Sequence, residues 1–248
     1  MNANRRAVLA AVAAMVLAPA ASHAQVPAGY PANYADTIAA AKKEGKLVVY
    51  STTDAAAAGF LVKDFQALYP GISVEYNDMN STEVYNRFIS ERAAGAGSAD
   101  VLWSSAMDLQ IKLASDGGAL TYASPEIAHL PSWAVWKDEA FGTTYEPLAF
   151  VYNKRLLTGD EIPQSHADLL RVFTTKTDKL KGKVTTYDIE KSGVGFLLIT
   201  QDSKYNPKFW DMVKALGAIG PRVQSRAGPM MERISSGATL RGFNIFHH

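Results

Sequence analysis

Small hydroxyl side chains gather where strands should end. Ser51-Thr52-Thr53-Asp54 follows the apolar run Leu47 to Tyr50, and Asn80-Ser81-Thr82 follows Ile72 to Tyr76 across a polar loop. Ser104-Ser105 follows Asp100 to Trp103, and Thr185-Thr186-Tyr187-Asp188 closes a later strand just before Ser192-Gly193. Each of these loops leads into a helix. Free N–H groups and the dipole at a helix N-terminus favour an anion, and Ser or Thr hydroxyls add neutral donors. Converging on one cleft, such loops would hold a carboxylate or phosphate. The candidate ligand-binding residues are therefore Ser51, Thr52, Thr53, Asp54, Ser81, Thr82, Ser104, Ser105, Thr186, Tyr187 and Ser192. Any one of them also has an ordinary use, because Ser, Thr and Asp are common N-caps. Asp54 is the awkward member: its carboxylate would repel an anion, so it should cap the following helix or meet a ligand amine or hydroxyl.

Catalytic signals are sparse. The chain has no cysteine, which removes disulfides, thiolate metal sites and cysteine nucleophiles. His129 and His166 lie beside loop residues and read as solvated surface histidines, and no His pair has metal spacing. No Gly-x-Ser-x-Gly elbow and no Walker-type loop occurs, and Gly193-Val194-Gly195 lacks the third glycine of a dinucleotide fingerprint. No catalytic residue, metal ligand or cofactor is assigned, and the chain is not read as an enzyme.

The elements that must position these loops alternate. A helix runs from Tyr34 to Glu44, with Asn33 as its N-cap and Gly45 as its stop. The strand at 47–50 gives way to a helix ending near Tyr69, with Leu61, Phe65 and Leu68 on one face. A strand at 72–76, a helix carrying Val84 and Phe88, a strand at 100–103 and a helix from Met107 to Ser115 follow. Later come a strand at 148–152, a helix at 167–173, a strand at 183–187 and a helix at 194–201. A further helix carries Phe209, Met212, Val213 and Leu216, then a helix covers 230–235 and a strand 240–246. Strands alternating with helices mean a parallel α/β sheet, because parallel strands need crossover helices. In such sheets ligands bind beyond the carboxyl ends of the strands.

The first 24 residues have the form of an export signal. Arg5 and Arg6 precede an apolar run from Ala7 to Leu17, and Ser22-His23-Ala24 supplies a small-residue cleavage site. The run is too short for a resident membrane helix, and its flanks fit twin-arginine export poorly. Cleavage after Ala24 leaves a chain from Gln25 and, by removing two arginines, takes the net charge from +1 to −1. No basic block is present, which disfavours nucleic acid. The expected location is the periplasm.

Several runs resemble periplasmic substrate-binding proteins of ABC importers. They are Leu47 to Ser51, Phe65 through Val74, Ala99 to Trp103, Ala149-Phe150-Val151-Tyr152-Asn153-Lys154, Gly182-Lys183-Val184 and Met231 to Gly237. The resemblance implies a two-lobed α/β fold, each lobe a mainly parallel sheet flanked by helices. It implies a solute held in the interlobe cleft, an inner-membrane ABC permease as partner, and a monomer when full length. The first lobe would cover 25–145 and the second 146–248, with a hinge near 146–152. Family chains continue further and return to the first lobe, and the apolar strand at 243–246 running straight into His247-His248 reads as a cut-short end. The most similar group binds ferric iron or anionic organic solutes. Its iron-binding members place a histidine after the first strand and a carboxylate after the third, where this chain has Ser51-Thr52-Thr53 and Ser104-Ser105. They also use a tyrosine pair near the segment matching Phe243 to Phe246, which has none. Hard Fe(III) wants anionic oxygens. A phosphorylated or carboxylated organic solute is therefore expected. Ferric iron or a ferric chelate is the alternative, and a periplasmic enzyme or a sensory receptor on the same fold stands behind it.

Overall fold

The structure, a computed structural model, describes residues 26–246. The expected export signal and its expected cleavage point, with His247 and His248, lie outside these residues. The described chain forms two compact units.

One unit takes in the chain as far as Lys46 together with Leu61–Ser73. Helix α1 is Tyr34–Glu44, with Asp36 in its first turn and Lys42 and Lys43 in its last, each on the favourable end of the dipole. Gly45 stops it: at φ 73° its N–H returns to the Ala41 carbonyl at 2.9 Å. Asn33 does not cap it through its side chain. Its own backbone is already helical, and a turn closed by Tyr34 N–H on the Pro31 carbonyl at 2.9 Å leads the chain in. Helix α2 is Ala55–Leu68. Its expected apolar face is not covered: Leu61 is 61% exposed and Leu68 64%, and the only buried residue of the helix is Ala58.

The other unit, which takes in Leu47–Phe60 and the described chain from Val74 onward, carries the sheets. Strands β1 (Lys46–Ser51), β2 (Ser73–Asp78) and β3 (Val101–Trp103) lie in the order β2-β1-β3, and β1 and β3 are parallel with Ser51 opposite Trp103. Helix α3 (Ser81–Ala93) follows β2, and α4 (Met107–Ser115) follows β3. Asn80 and Glu83 close a capping box at the start of α3, each side chain bonding the other's N–H. A short antiparallel ribbon, β4 (Val135–Trp136) with β5 (Ala140–Phe141), comes next.

The second sheet has the order β6-β9-β7-β8, with β6 at Leu148–Tyr152, β7 at Val184–Tyr187, β8 at Arg222–Gln224 and β9 at Arg241–Phe246. β7 is parallel to β8 and β9, and β6 joins as an antiparallel edge. A register shift interrupts the β6–β9 pair between Ala149 and Val151, where Asn244 takes a left-handed φ of 53°. Helices α5 (His166–Thr175), α6 (Thr177–Leu180), α7 (Gly193–Tyr205), α8 (Phe209–Ile219) and α9 (Ala227–Ser236) flank this sheet. α5 buries Leu169, Val172 and Phe173, and α8 buries Phe209, Met212, Leu216 and Ile219, at helical spacing, against Val184 and Phe243 of the sheet. Each such side chain contributes about 1.5–3 kcal/mol by leaving water. A second cluster joins Ala106 and Leu109 to Val194 and Leu198 of α7, to Met230 and Ile234 of α9, and to Tyr187.

His166 is not simply solvated. It opens α5, its Nε2 lies 3.1 Å from Asp202 Oδ1, and its ring meets Phe150 and Phe243 edge-on at 5.4 and 6.4 Å. Burial pushes the Asp202 carboxyl up, partly opposed by the His166 charge.

Candidate functional site

The loops after β1 and β3 are tied to each other. Ser51 is buried; its Oγ accepts the Thr53 N–H at 3.0 Å, and its carbonyl accepts the Met79 N–H at 2.9 Å. Thr52 N–H donates to the Trp103 carbonyl at 3.0 Å, and Thr52 Oγ1 accepts the Ser105 N–H at 3.2 Å. Ser104 Oγ accepts the Ala106 N–H at 3.2 Å, at the start of α4. Tyr76 closes the back of this group: its hydroxyl donates to the Thr53 carbonyl at 2.7 Å, and burial raises its pKa. A hydroxyl oxygen that accepts one bond keeps its own proton to donate. Thr52 and Ser104 therefore remain donors.

The loop after β2 is tied to α7. Ser192 is the N-cap of that helix, its Oγ accepting the Gly195 N–H at 3.2 Å. The next orphan donor, Val194 N–H, is satisfied by Ser81 Oγ at 3.0 Å, and Ser81 is itself buried. Gly193 makes this approach possible: a Cβ there would lie 2.7 Å from Leu109 Cδ1, 3.4 Å from Ser81 Oγ and 3.6 Å from Thr82 Oγ1. Beside this junction lies a cavity of about 540 Å³ lined by Met79, Asn80, Thr82, Glu83, Asn86, Arg87, Glu190 and Lys191. Its acids and bases are equal in number, and Thr82 is the expected site residue that reaches it.

Asp54 is engaged within the chain by both its backbone and its side chain. Its carbonyl accepts the Ala57 and Ala58 N–H groups at 2.9 and 3.1 Å, starting α2. Its carboxylate pairs with Arg226, the residue preceding α9. Arg226 also forms an ion pair with Asp78 at the end of β2, and Asp78 Oδ2 accepts the Ala55 N–H at 2.9 Å. The backbone of Asp54 thus starts α2, and its side chain meets an arginine of this chain.

Thr186 and Tyr187 belong to β7 of the second sheet. Thr186 Oγ1 donates to the Phe243 carbonyl at 3.0 Å inside the second sheet, and Tyr187 packs among Ala106, Val194 and Met230. Arg226 and Asp78 went unnoticed in the sequence. Arg226 stands alone between Ser225 and Ala227, and only its place just before a helix that follows a strand could have marked it. Among the described residues no group of three or more His, Asp or Glu could hold a metal ion, and no helix is long and apolar enough to cross a membrane.

The strand-end loops of these sheets carry hydroxyls and lead into helix N-termini. The chain belongs to the bacterial extracellular solute-binding protein family, whose model matches residues 50–228. Among solved structures it is similar to the substrate-binding protein of an ABC transporter from Agrobacterium tumefaciens. Identity to that protein is 39% with a TM-score of 0.78, over 81% of this chain and 59% of that one. It also shares the fold of iron-bound HitA from Pseudomonas aeruginosa, at 19% identity and TM-score 0.64, over 82% of this chain and 63% of that one. AfuA from Actinobacillus pleuropneumoniae, solved with exogenous fructose-6-phosphate, is similar at 23% identity and TM-score 0.64, over 81% of this chain and 63% of that one. The chain thus spans about six-tenths of the length of each of these proteins. No curated protein matches it. The family and these neighbours are binding proteins of transporters, two-lobed in fold, and the family's place is periplasmic or extracellular.

Proposed function

We propose that this chain is the periplasmic solute-binding component of an ABC importer and captures a small anionic solute, phosphorylated or carboxylated, for an inner-membrane permease. One observation carries the choice of an anion. The loops after β1, β2 and β3 and the start of α7 are linked to one another through Thr52–Ser105, Ser51–Met79 and Ser81–Val194. Neutral hydroxyls and helix N-terminal amides are therefore concentrated in one region. Asp54, the carboxylate of the loop after β1, is occupied by Arg226. Thr52, Thr53, Ser81, Thr82, Ser104, Ser105 and Ser192 are the residues proposed to surround the solute. The same reading places a lobe boundary near 146–152 and cleavage of the export signal after Ala24.

The test begins with native mass spectrometry of solute retained on the purified full chain. Calorimetry against phosphorylated sugars, carboxylates and ferric citrate follows, in wild type and Thr52→Val. Losing one hydrogen bond to a charged group costs about 1.5–3 kcal/mol, or roughly ten- to a hundredfold in affinity. Tight binding of bare Fe(III) that needs no accompanying anion and ignores the substitution would overturn the proposal.

A further inference from the structure

The cluster of Asp54, Arg226 and Asp78 joins three elements through one guanidinium, and its two carboxylates are not equivalent. Asp78 is fixed twice, by Arg226 and by the Ala55 N–H at 2.9 Å, so it belongs to the start of α2. The Asp54 carboxylate has Arg226 as its one hydrogen-bond partner among the described residues, and its side chain is 45% exposed. It also lies tightly over the first turn of α9: a Cβ on Gly228 would come 2.4 Å from Asp54 Oδ2. Arg226 is the more buried partner, 25% exposed, and its Nε is buried with no hydrogen-bond partner. The arrangement is a half-exposed, singly held carboxylate seated on an arginine fork. An exposed ion pair is held only weakly, so a better anion can exchange with Asp54. A guanidinium fork matches phosphate and carboxylate geometry bidentately.

We infer that Arg226 reads the anionic group of the solute and that Asp54 is the internal anion the solute displaces. This rests on the anionic-solute reading above. The exchange supplies selectivity by competition. A neutral molecule cannot displace Asp54, so it finds the guanidinium already taken. An anion gains Arg226 and is left beside a carboxylate that must swing clear of Gly228, with Asp78 staying behind on the Ala55 amide.

The experiment is calorimetry on the full chain at low ionic strength, with inorganic phosphate and fructose 6-phosphate as probes. Wild type, Asp54→Asn, Arg226→Gln and Gly228→Ala are compared, and thermal melts are taken without ligand. Asp54→Asn should bind the anions about tenfold tighter, equivalent to ~1.4 kcal/mol, and Arg226→Gln about tenfold weaker or worse. Gly228→Ala, whose new methyl presses on Asp54 and leaves Arg226 in place, should move affinity in the same direction as Asp54→Asn. Opposite signs for the two partners of one ion pair are the signature. A pair that only braces the fold would lower the melting temperature in both variants and shift affinity the same way in both, or not at all. That result overturns the inference while leaving the anionic reading standing if wild type binds either probe. Should no variant bind either anion while the chain holds a neutral sugar, both fall. If Arg226→Gln does not fold, the Asp54→Asn and Gly228→Ala shifts decide by themselves: no gain in anion affinity from either overturns the inference.

Discussion

Replacing Ser81 by alanine isolates the bond that ties the β2–α3 loop to α7. Ser81 is 3% exposed, and its Oγ accepts the Val194 N–H at 3.0 Å. Val194 is the second residue of α7, so its amide has no partner within the helix. Alanine fits the space and removes the acceptor. A buried N–H left unpaired costs about 1–3 kcal/mol. In a chain of this size each kcal/mol lowers the melting temperature by roughly 2–4 °C, so a midpoint loss of ~2 kcal/mol predicts a fall of about 4–8 °C. Ser192→Ala removes the neighbouring cap on Gly195, a bond of 3.2 Å within one loop. Caps of that kind are worth about 1 kcal/mol. Urea and thermal melts of the two single variants and the double variant give the comparison. The two amides share one helical turn, so water drawn in by the first deletion should soften the second, and the double loss should fall short of additivity. A Ser81→Ala variant within about 0.3 kcal/mol of wild type, inside ordinary additivity error, would refute the reasoning. It would mean that water already reaches Val194 N–H.

Three further expectations concern burial and pH. Gly195→Ala places a Cβ 2.4 Å from Tyr187 Cβ, and the overpacking should cost about 1–3 kcal/mol in a melt, less what alanine returns in helix propensity. Arg241→Met should leave stability unchanged or raise it by about 1–4 kcal/mol, because the Arg241 guanidinium is buried with Nε and Nη1 unpartnered. Burial lowers the Arg241 pKa from 12.5 to about 10, so its penalty is full below pH 10 and relaxes above it; melts at pH 8 and 10.5 should differ less in the methionine variant. Glu91 accepts bonds from Arg87 Nε at 2.8 Å, Ser98 Oγ at 2.7 Å and the Tyr50 hydroxyl at 2.9 Å, which hold its carboxyl below the ordinary 4.5. That stability is present above pH 4.5 and lost as the pH falls through the lowered value, so acid titration of Glu91→Gln should show a shallower decline.

Local chemistry made the elements legible. The apolar pentapeptide Leu148–Tyr152 is β6, and the helix Met107–Ser115 stops before Gly117-Gly118, as the sequence pattern predicts. Where reading failed, a distant partner or its absence decided. Leu61 and Leu68 have helical spacing, but spacing says only that a face is apolar, not that anything covers it. The hydroxyl loops could be found because each follows a strand. What each hydroxyl does could not, since Ser81 meets an amide 113 residues away and Asp54 an arginine 172 residues away. His166 looked solvated because Asp202 and Phe243, which hold it, belong to other elements.

The position of β9 has a consequence for how the chain is made. β9 is the last described strand, yet it lies between β6 and β7, with Ala149 opposite Ile245 on one side and Thr185 opposite Gly242 on the other. While the ribosome is still building residues before 241, β6 and β7 have no shared neighbour, and each presents an unpaired edge. The second sheet therefore cannot close early during synthesis, and its central pairing spans chain segments made far apart in time. Loop closure of that length is slow. Late closure leaves two strand edges open to whatever the nascent chain meets first.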